Sequence, residues 1–127
     1  MTDSVARLYE AVVALRDGDP GKSRTAKLLR SGRAKMAKKL AEEAVEVVID
    51  AMHGQPEAVV RESADLLYNL VVLWVHAGVH PDEVWAEMRR RETLFGIAEK
   101  VPKKSMIHGL PRRKVVALEA RRLRKRR

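Results

Sequence analysis

The decision on fold class turns on LLYNLVVLWV, residues 66–75. It is apolar on nearly every side of a helix, so it must be packed by partners all round rather than along one stripe. The pattern that contains it starts at Pro56, a residue suited to a first helical turn, and stops at Gly78. That is about 22 residues, or roughly 33 Å at ~1.5 Å per residue. Working outward, residues 33–54 repeat Met36, Leu40, Ala44, Val47, Val48 and Ala51 on one side and end at Gly54. Residues 4–17 place Val5, Leu8, Val12 and Leu15 at helical spacing and stop at Asp17-Gly18-Asp19-Pro20-Gly21. A short helix over 23–31 closed by Gly32, and another over 81–93 carrying Val84, Trp85 and Met88, complete the set. Short loops between long helices predict an all-α antiparallel bundle.

Charge divides the chain differently. Residues 1–102 hold 15 of the 26 Lys+Arg and 16 of the 17 Asp+Glu, close to neutrality, while 103–127 hold 11 basic residues and only Glu119. The expected organisation is therefore a helical domain over 1–100 and a basic extension over 101–127, joined through a linker at 96–109. Nucleic-acid contact is expected only through that tail. The chain has no cysteine, which excludes a disulfide framework, a thiolate metal site and a Cys nucleophile. Its longest apolar stretch, 66–75, falls far short of the ~20 residues of a membrane span, and the start lacks a basic segment followed by an apolar one. A cytoplasmic protein with no membrane contact is expected.

Five acids sit where a bundle has little use for them. Glu42, Glu43 and Glu46 lie in the middle of one long helix, and Glu62 and Asp65 in the next. Residues three apart share a helical face, so Glu43 with Glu46 and Glu62 with Asp65 present two pairs of carboxylates from neighbouring antiparallel helices. Ionised carboxylates buried beside Leu66, Leu70 and Val48 cost several kcal/mol each unless a cation or strong donors compensate. Oxygen ligands without Cys or His select Mg²⁺, with Mn²⁺ able to serve in its place, and an open all-carboxylate site recruits phosphates. Residues 20–41 hold Lys22, Arg24, Lys27, Arg30, Arg33, Lys35, Lys38 and Lys39 and no acid, the cations a polyphosphate needs on its other oxygens. The competing reading is a solvated Glu-rich face with ordinary i,i+4 partners. Asn69, four residues after Asp65, either orients substrate or a water on the metal, or bonds across the bundle. Trp74, Trp85 and Tyr68 are most simply core or interface residues, and His53, His76, His80 and His108 lack metal spacing.

The runs KKLAEEAVEVVIDA (38–51) and ESADLLYNLVVLW (62–74) resemble the EExxE…ExxD pattern of the all-α nucleoside-triphosphate pyrophosphatases. Within that superfamily the chain is most similar to the phosphoribosyl-ATP pyrophosphatase family of histidine biosynthesis. The likeness spans about residues 5–100, including LYEAVVALRDGDPGKSRTAKLL (8–29) and HPDEVWAEMRRR (80–91). It implies Mg²⁺-dependent hydrolysis of the α–β phosphoanhydride of phosphoribosyl-ATP to phosphoribosyl-AMP and pyrophosphate. It further implies a bundle completed by homodimerisation, with the active site near the subunit interface. Glu43, Glu46, Glu62 and Asp65 would be the metal ligands. Glu42 would stand behind them or take the proton of the attacking water, making Glu42 and Glu43 the catalytic candidates. Lys35 and Lys39 match the family's basic positions and Ser23 and Thr25 its small polar motif, so these would bind the substrate; Lys38, from the run of cations, and Asn69, on the acidic face, are further substrate-binding candidates from the residues themselves. Arg24, Ala41 and Asn69 depart from the family's usual aromatic, Gly and His, all on the substrate side, and the basic segment after Lys103 has no counterpart in the family pattern. The rival functions are a house-cleaning pyrophosphatase acting on other nucleotides and a nucleic-acid-binding protein acting through the tail.

Overall fold

A computed structural model describes residues 3–96. The chain divides into two compact units, Met1–Trp85 and Ala86–Arg127, the second described only as far as Gly96. The expected 101–127 extension and the 97–109 part of the linker lie outside the described residues. Five helices follow in order: α1 Ser4–Leu15, α2 Arg24–Arg30, α3 Arg33–Met52, α4 Pro56–Ala77 and α5 Pro81–Phe95, with no strand among the described residues. This is the all-α class expected.

Local chemistry sets the ends. Asp3 caps α1 by accepting from the Ala6 amide at 2.7 Å, and Ser23 caps α2 by accepting from Ala26 at 3.1 Å. Gly32 sits between α2 and α3 at φ 100°, a backbone conformation that any side chain would strain, so the two helices can be joined there with almost no loop. Pro56 opens α4 and Gly78, left-handed at φ 75°, closes it. The start of α5 is held by the Glu83 carboxylate, which accepts from the His80 amide at 2.7 Å, and the His80 ring lies edge-on to Tyr9.

In the first unit α4 is the hub. It pairs most extensively with α3, and also packs on α1 and on α2. The core is Val12, Met36, Val71, Val72 and Val75, with Leu8, Leu28, Leu29 and Trp74 packed around it. Burying each such aliphatic side chain stabilises the unit by about 1.5–3 kcal/mol. Two expectations about burial hold only in part. The stretch 66–75 supplies buried Asn69, Val71, Val72 and Val75, but Leu67 within it is exposed, so partners do not enclose it on every side. On α3, Met36 is buried, and Leu40, Ala44 and Val47 are half-buried, but Val48 is 60% exposed and Ala51 is also open. Val48 therefore does not help bury the acids. Helical period shows which residues share a stripe, and the described chain supplies no element to cover this part of it.

Candidate active site

Three residues, His53 to Gln55, separate α3 from α4, so the chain doubles back and the acids of the two helices meet. Glu43, Glu62 and Asp65 each bring a carboxylate oxygen within 4.8 Å of the other two. Glu46 stands outside that trio and reaches Glu62 instead. Glu43 Oε2 and Glu62 Oε2 are buried with no hydrogen-bond partner among the described residues. Ionised carboxylates offer one another no donor. A proton on Glu62 supplies one, and the Glu62 carboxyl is accordingly pushed up from 4.5 to about 7, first by its hydrogen bond to Glu46, then by burial, then by its hydrogen bond to Glu43 and the charges of both neighbours. Two partnerless buried oxygens, from Glu43 and Glu62, beside the exposed Asp65 carboxylate fit a hard divalent cation.

A cleft of about 670 Å³ opens beside the trio between α2, α3 and α4. Glu43 and Asp65 form its acidic wall; Arg24, Lys27, Lys35 and Lys39 form the basic one. Lys39 also lies 4.0 Å from Glu43. Thr25, Tyr68 and Asn69 line the same cleft. Asn69 is buried, and its Nδ2 donates to the Asp65 carbonyl at 2.8 Å, leaving Oδ1 without a partner among the described residues.

Of the residues expected to contact substrate, Thr25, Lys35, Lys39 and Asn69 border this cleft, whereas Ser23 and Lys38 do not. Ser23 spends its hydroxyl on the α2 cap. Lys38 is 77% exposed and 4.0 Å from Glu42, on the outer side of α3. Glu42 is thereby turned away from the trio, while its neighbour Glu43 faces it. Successive helical residues differ by ~100° in direction, so of each adjacent pair, Lys38-Lys39 and Glu42-Glu43, one member faces the cleft.

Tyr68 was not among the expected contacts, and Arg24 and Lys27 were expected only as part of the run of cations over 20–41, without being singled out as site residues. For those two cations a signal existed: Arg24, Lys27, Leu28 and Ser31 follow the i, i+3, i+4, i+7 pattern of one helical face, and all four border the cleft. Tyr68 falls three residues after Asp65 on the same face of α4.

Residues 5–92 match the family described as phosphoribosyl-ATP pyrophosphohydrolase. Phosphoribosyl-ATP pyrophosphatase 2 of Rhodopseudomonas palustris is 63% identical over 133 aligned positions that cover the whole of both chains. The protein of the same name from Bradyrhizobium diazoefficiens is 62% identical, covering 99% of each chain. Phosphoribosyl-ATP pyrophosphatase of Azospirillum brasilense is 52% identical over 99 residues, 78% of this chain and 89% of its own. The first match runs through residues 103–127, so the basic segment does have a counterpart, contrary to the expectation from the family pattern.

Proposed function

The chain belongs to the phosphoribosyl-ATP pyrophosphohydrolase family, and from that premise we propose how its own residues carry the reaction. It is a hydrolase of histidine biosynthesis, splitting phosphoribosyl-ATP at the α–β phosphoanhydride to phosphoribosyl-AMP and pyrophosphate. The observation that supports the assignment of roles is the trio Glu43, Glu62 and Asp65 with two buried, partnerless oxygens at the edge of a cation-lined cleft. Glu43, Glu62 and Asp65 hold Mg²⁺, or Mn²⁺ in its place, with Glu46 beside them against Glu62; the ion, when bound, neutralises phosphate oxygens and polarises the anhydride. Arg24, Lys27, Lys35 and Lys39 take up the remaining negative charge of the polyphosphate and hold the leaving pyrophosphate in line. The proton of the attacking water passes to a clustered carboxylate. Of the two catalytic candidates Glu43 faces the cleft, while Glu42 pairs with Lys38.

Pyrophosphate release from phosphoribosyl-ATP, measured beside a panel of ordinary nucleoside triphosphates with Mg²⁺ and again with a chelator, tests this reading. Turnover confined to phosphoribosyl-ATP and lost on chelation is expected. Faster turnover of ordinary triphosphates would assign the chain to house-cleaning chemistry instead. No helix among the described residues is long and apolar enough to cross a membrane. We propose the cytoplasm as the site of action, because the reaction consumes a nucleotide intermediate of biosynthesis.

The working form is a homodimer. Val45, Val48, Ile49 and Met52 make an exposed apolar stripe along α3, with Met52 81% exposed, and their i, i+3, i+4, i+7 spacing is that of a helix packed on another. A second copy would cover it. Light scattering should report a dimer for the native protein and a monomer of unchanged helicity for Val48→Lys; a native monomer would refute the assignment.

A further inference from the structure

Tyr68 and Thr25, 43 residues apart in sequence, both line the cleft and meet there, with Oη and Oγ1 separated by 2.6 Å. Each hydroxyl carries one proton, and a bond between them uses one of the two. The other proton is left on whichever oxygen accepts. Thr25 is 9% exposed, whereas Tyr68 is half-buried and borders the open cleft. The arrangement that keeps the spare proton where a ligand can reach it therefore has Thr25 donating to Tyr68, with the phenolic O–H turned to the cleft. Position then identifies the acceptor. Tyr68 lies one turn beyond Asp65 on α4, and Thr25 lies beside Arg24 on α2, so the pair joins the helix that carries Glu62 and Asp65 to a helix that carries cations. A ligand that shares its charge between a metal on those acids and the basic side chains is a chain of phosphates, whose oxygens are anionic acceptors and lack protons of their own to offer.

We propose that Tyr68 is a substrate-binding residue whose hydroxyl donates to a phosphate oxygen of the pyrophosphate moiety, and that Thr25 is its positioning partner. The inference rests on the active-site reading above and adds a neutral donor to a site otherwise built from charges. An uncharged donor matters here because it adds a directed bond without drawing the carboxylates away from the metal. The bond is made equally to bound substrate and to the transition state, so its loss raises KM and leaves kcat alone.

Tyr68→Phe and Thr25→Val, singly and together, test the assignment by steady-state kinetics on phosphoribosyl-ATP with Mg²⁺. Tyr68→Phe should raise KM about 10-fold, the effect of one hydrogen bond to a charged group, with kcat within about twofold. Thr25→Val should raise KM less, and the double variant should match Tyr68→Phe, because Thr25 acts only through the phenol. Calorimetry with pyrophosphate and Mg²⁺ separates this inference from the choice of nucleotide. If the native protein binds pyrophosphate and Tyr68→Phe binds it about 10-fold more weakly, the assignment holds even for a different triphosphate substrate. Unchanged pyrophosphate affinity and KM in Tyr68→Phe, with or without a lowered melting temperature, would reduce the pair to a clip between α2 and α4 and overturn it.

Discussion

Asp65→Asn should lower kcat/KM for phosphoribosyl-ATP by about two to three orders of magnitude, the size of effect that follows removal of one preorganised charged group from a reacting centre. The far-ultraviolet helical signal should stay unchanged. The asymmetry follows from where the side chain sits. Asp65 is exposed on the rim of the cleft, so an isosteric amide leaves no cavity and buries no unpaired group. The local contact it makes with Asn69 runs through its backbone carbonyl, which the substitution does not touch. What changes is the third carboxylate of the trio. A neutral amide oxygen is a much weaker ligand for a hard cation, and its NH₂ points a donor at the place the cation would occupy. Two measurements separate this from a general defect: the melting temperature without metal should be no lower than that of the native protein, since one of three clustered negative charges is gone, and the rise in melting temperature on adding millimolar Mg²⁺ should be lost. An Asp65→Asn protein with full turnover would remove the carboxylate trio from the mechanism.

Much of this could be read from the sequence, and the failures have physical causes. Pro56, Pro81, Gly32 and Gly78 punctuate the helices because their backbone restrictions act locally, and each fell at or beside an end. The end of α1 was misplaced by two residues. It stops at Leu15 because the Gly18 amide turns back onto the Leu15 carbonyl at 2.9 Å, a closure that periodicity does not report. Glu43, Glu62 and Asp65 were found because acids at i,i+3 in an apolar context conflict with burial, and that conflict is written in composition and spacing alone. The division of labour between Lys38 and Lys39 depends on helix rotation against α4, which a list of basic residues does not carry. Tyr68 was hidden for another reason: its hydroxyl finds its partner across 43 residues, so its chemistry emerges only after α2 and α4 are packed. The open stripe at Val48 and Met52 shows the converse limit, since a correct periodic face says nothing of what covers it.

Without metal, the protein should lose stability as pH rises from about 4.5 through 7, and added Mg²⁺ should restore it. The Glu62 carboxyl is raised from 4.5 to about 7 in the folded protein, so between those values the native state holds a proton that the unfolded chain has released. For a group raised on folding, the stabilisation is complete below the unfolded value and disappears as pH climbs through the folded one. The proton belongs to the cluster, since Glu46 and Glu43 both bond to it. Glu87 does not confuse the window: Arg90 and Arg91 hold it down near 2, so its contribution is complete above 4.5 and fades only on acidification below that. Bound Mg²⁺ substitutes for the proton, which makes metal affinity weaken below about pH 7 as the two compete. Glu62→Gln isolates the effect, because its amide keeps the shape and carries a permanent donor toward Glu46 and Glu43. Melting curves from pH 5 to 8.5 in a chelator should bring the native protein down relative to Glu62→Gln as pH rises, and Mg²⁺ should reverse the order at pH 8 by stabilising only the native protein appreciably. A difference between the two that is the same at pH 5 and pH 8.5 would mean that Glu62 carries no shared proton, and that the clustered acids need no cation to balance them.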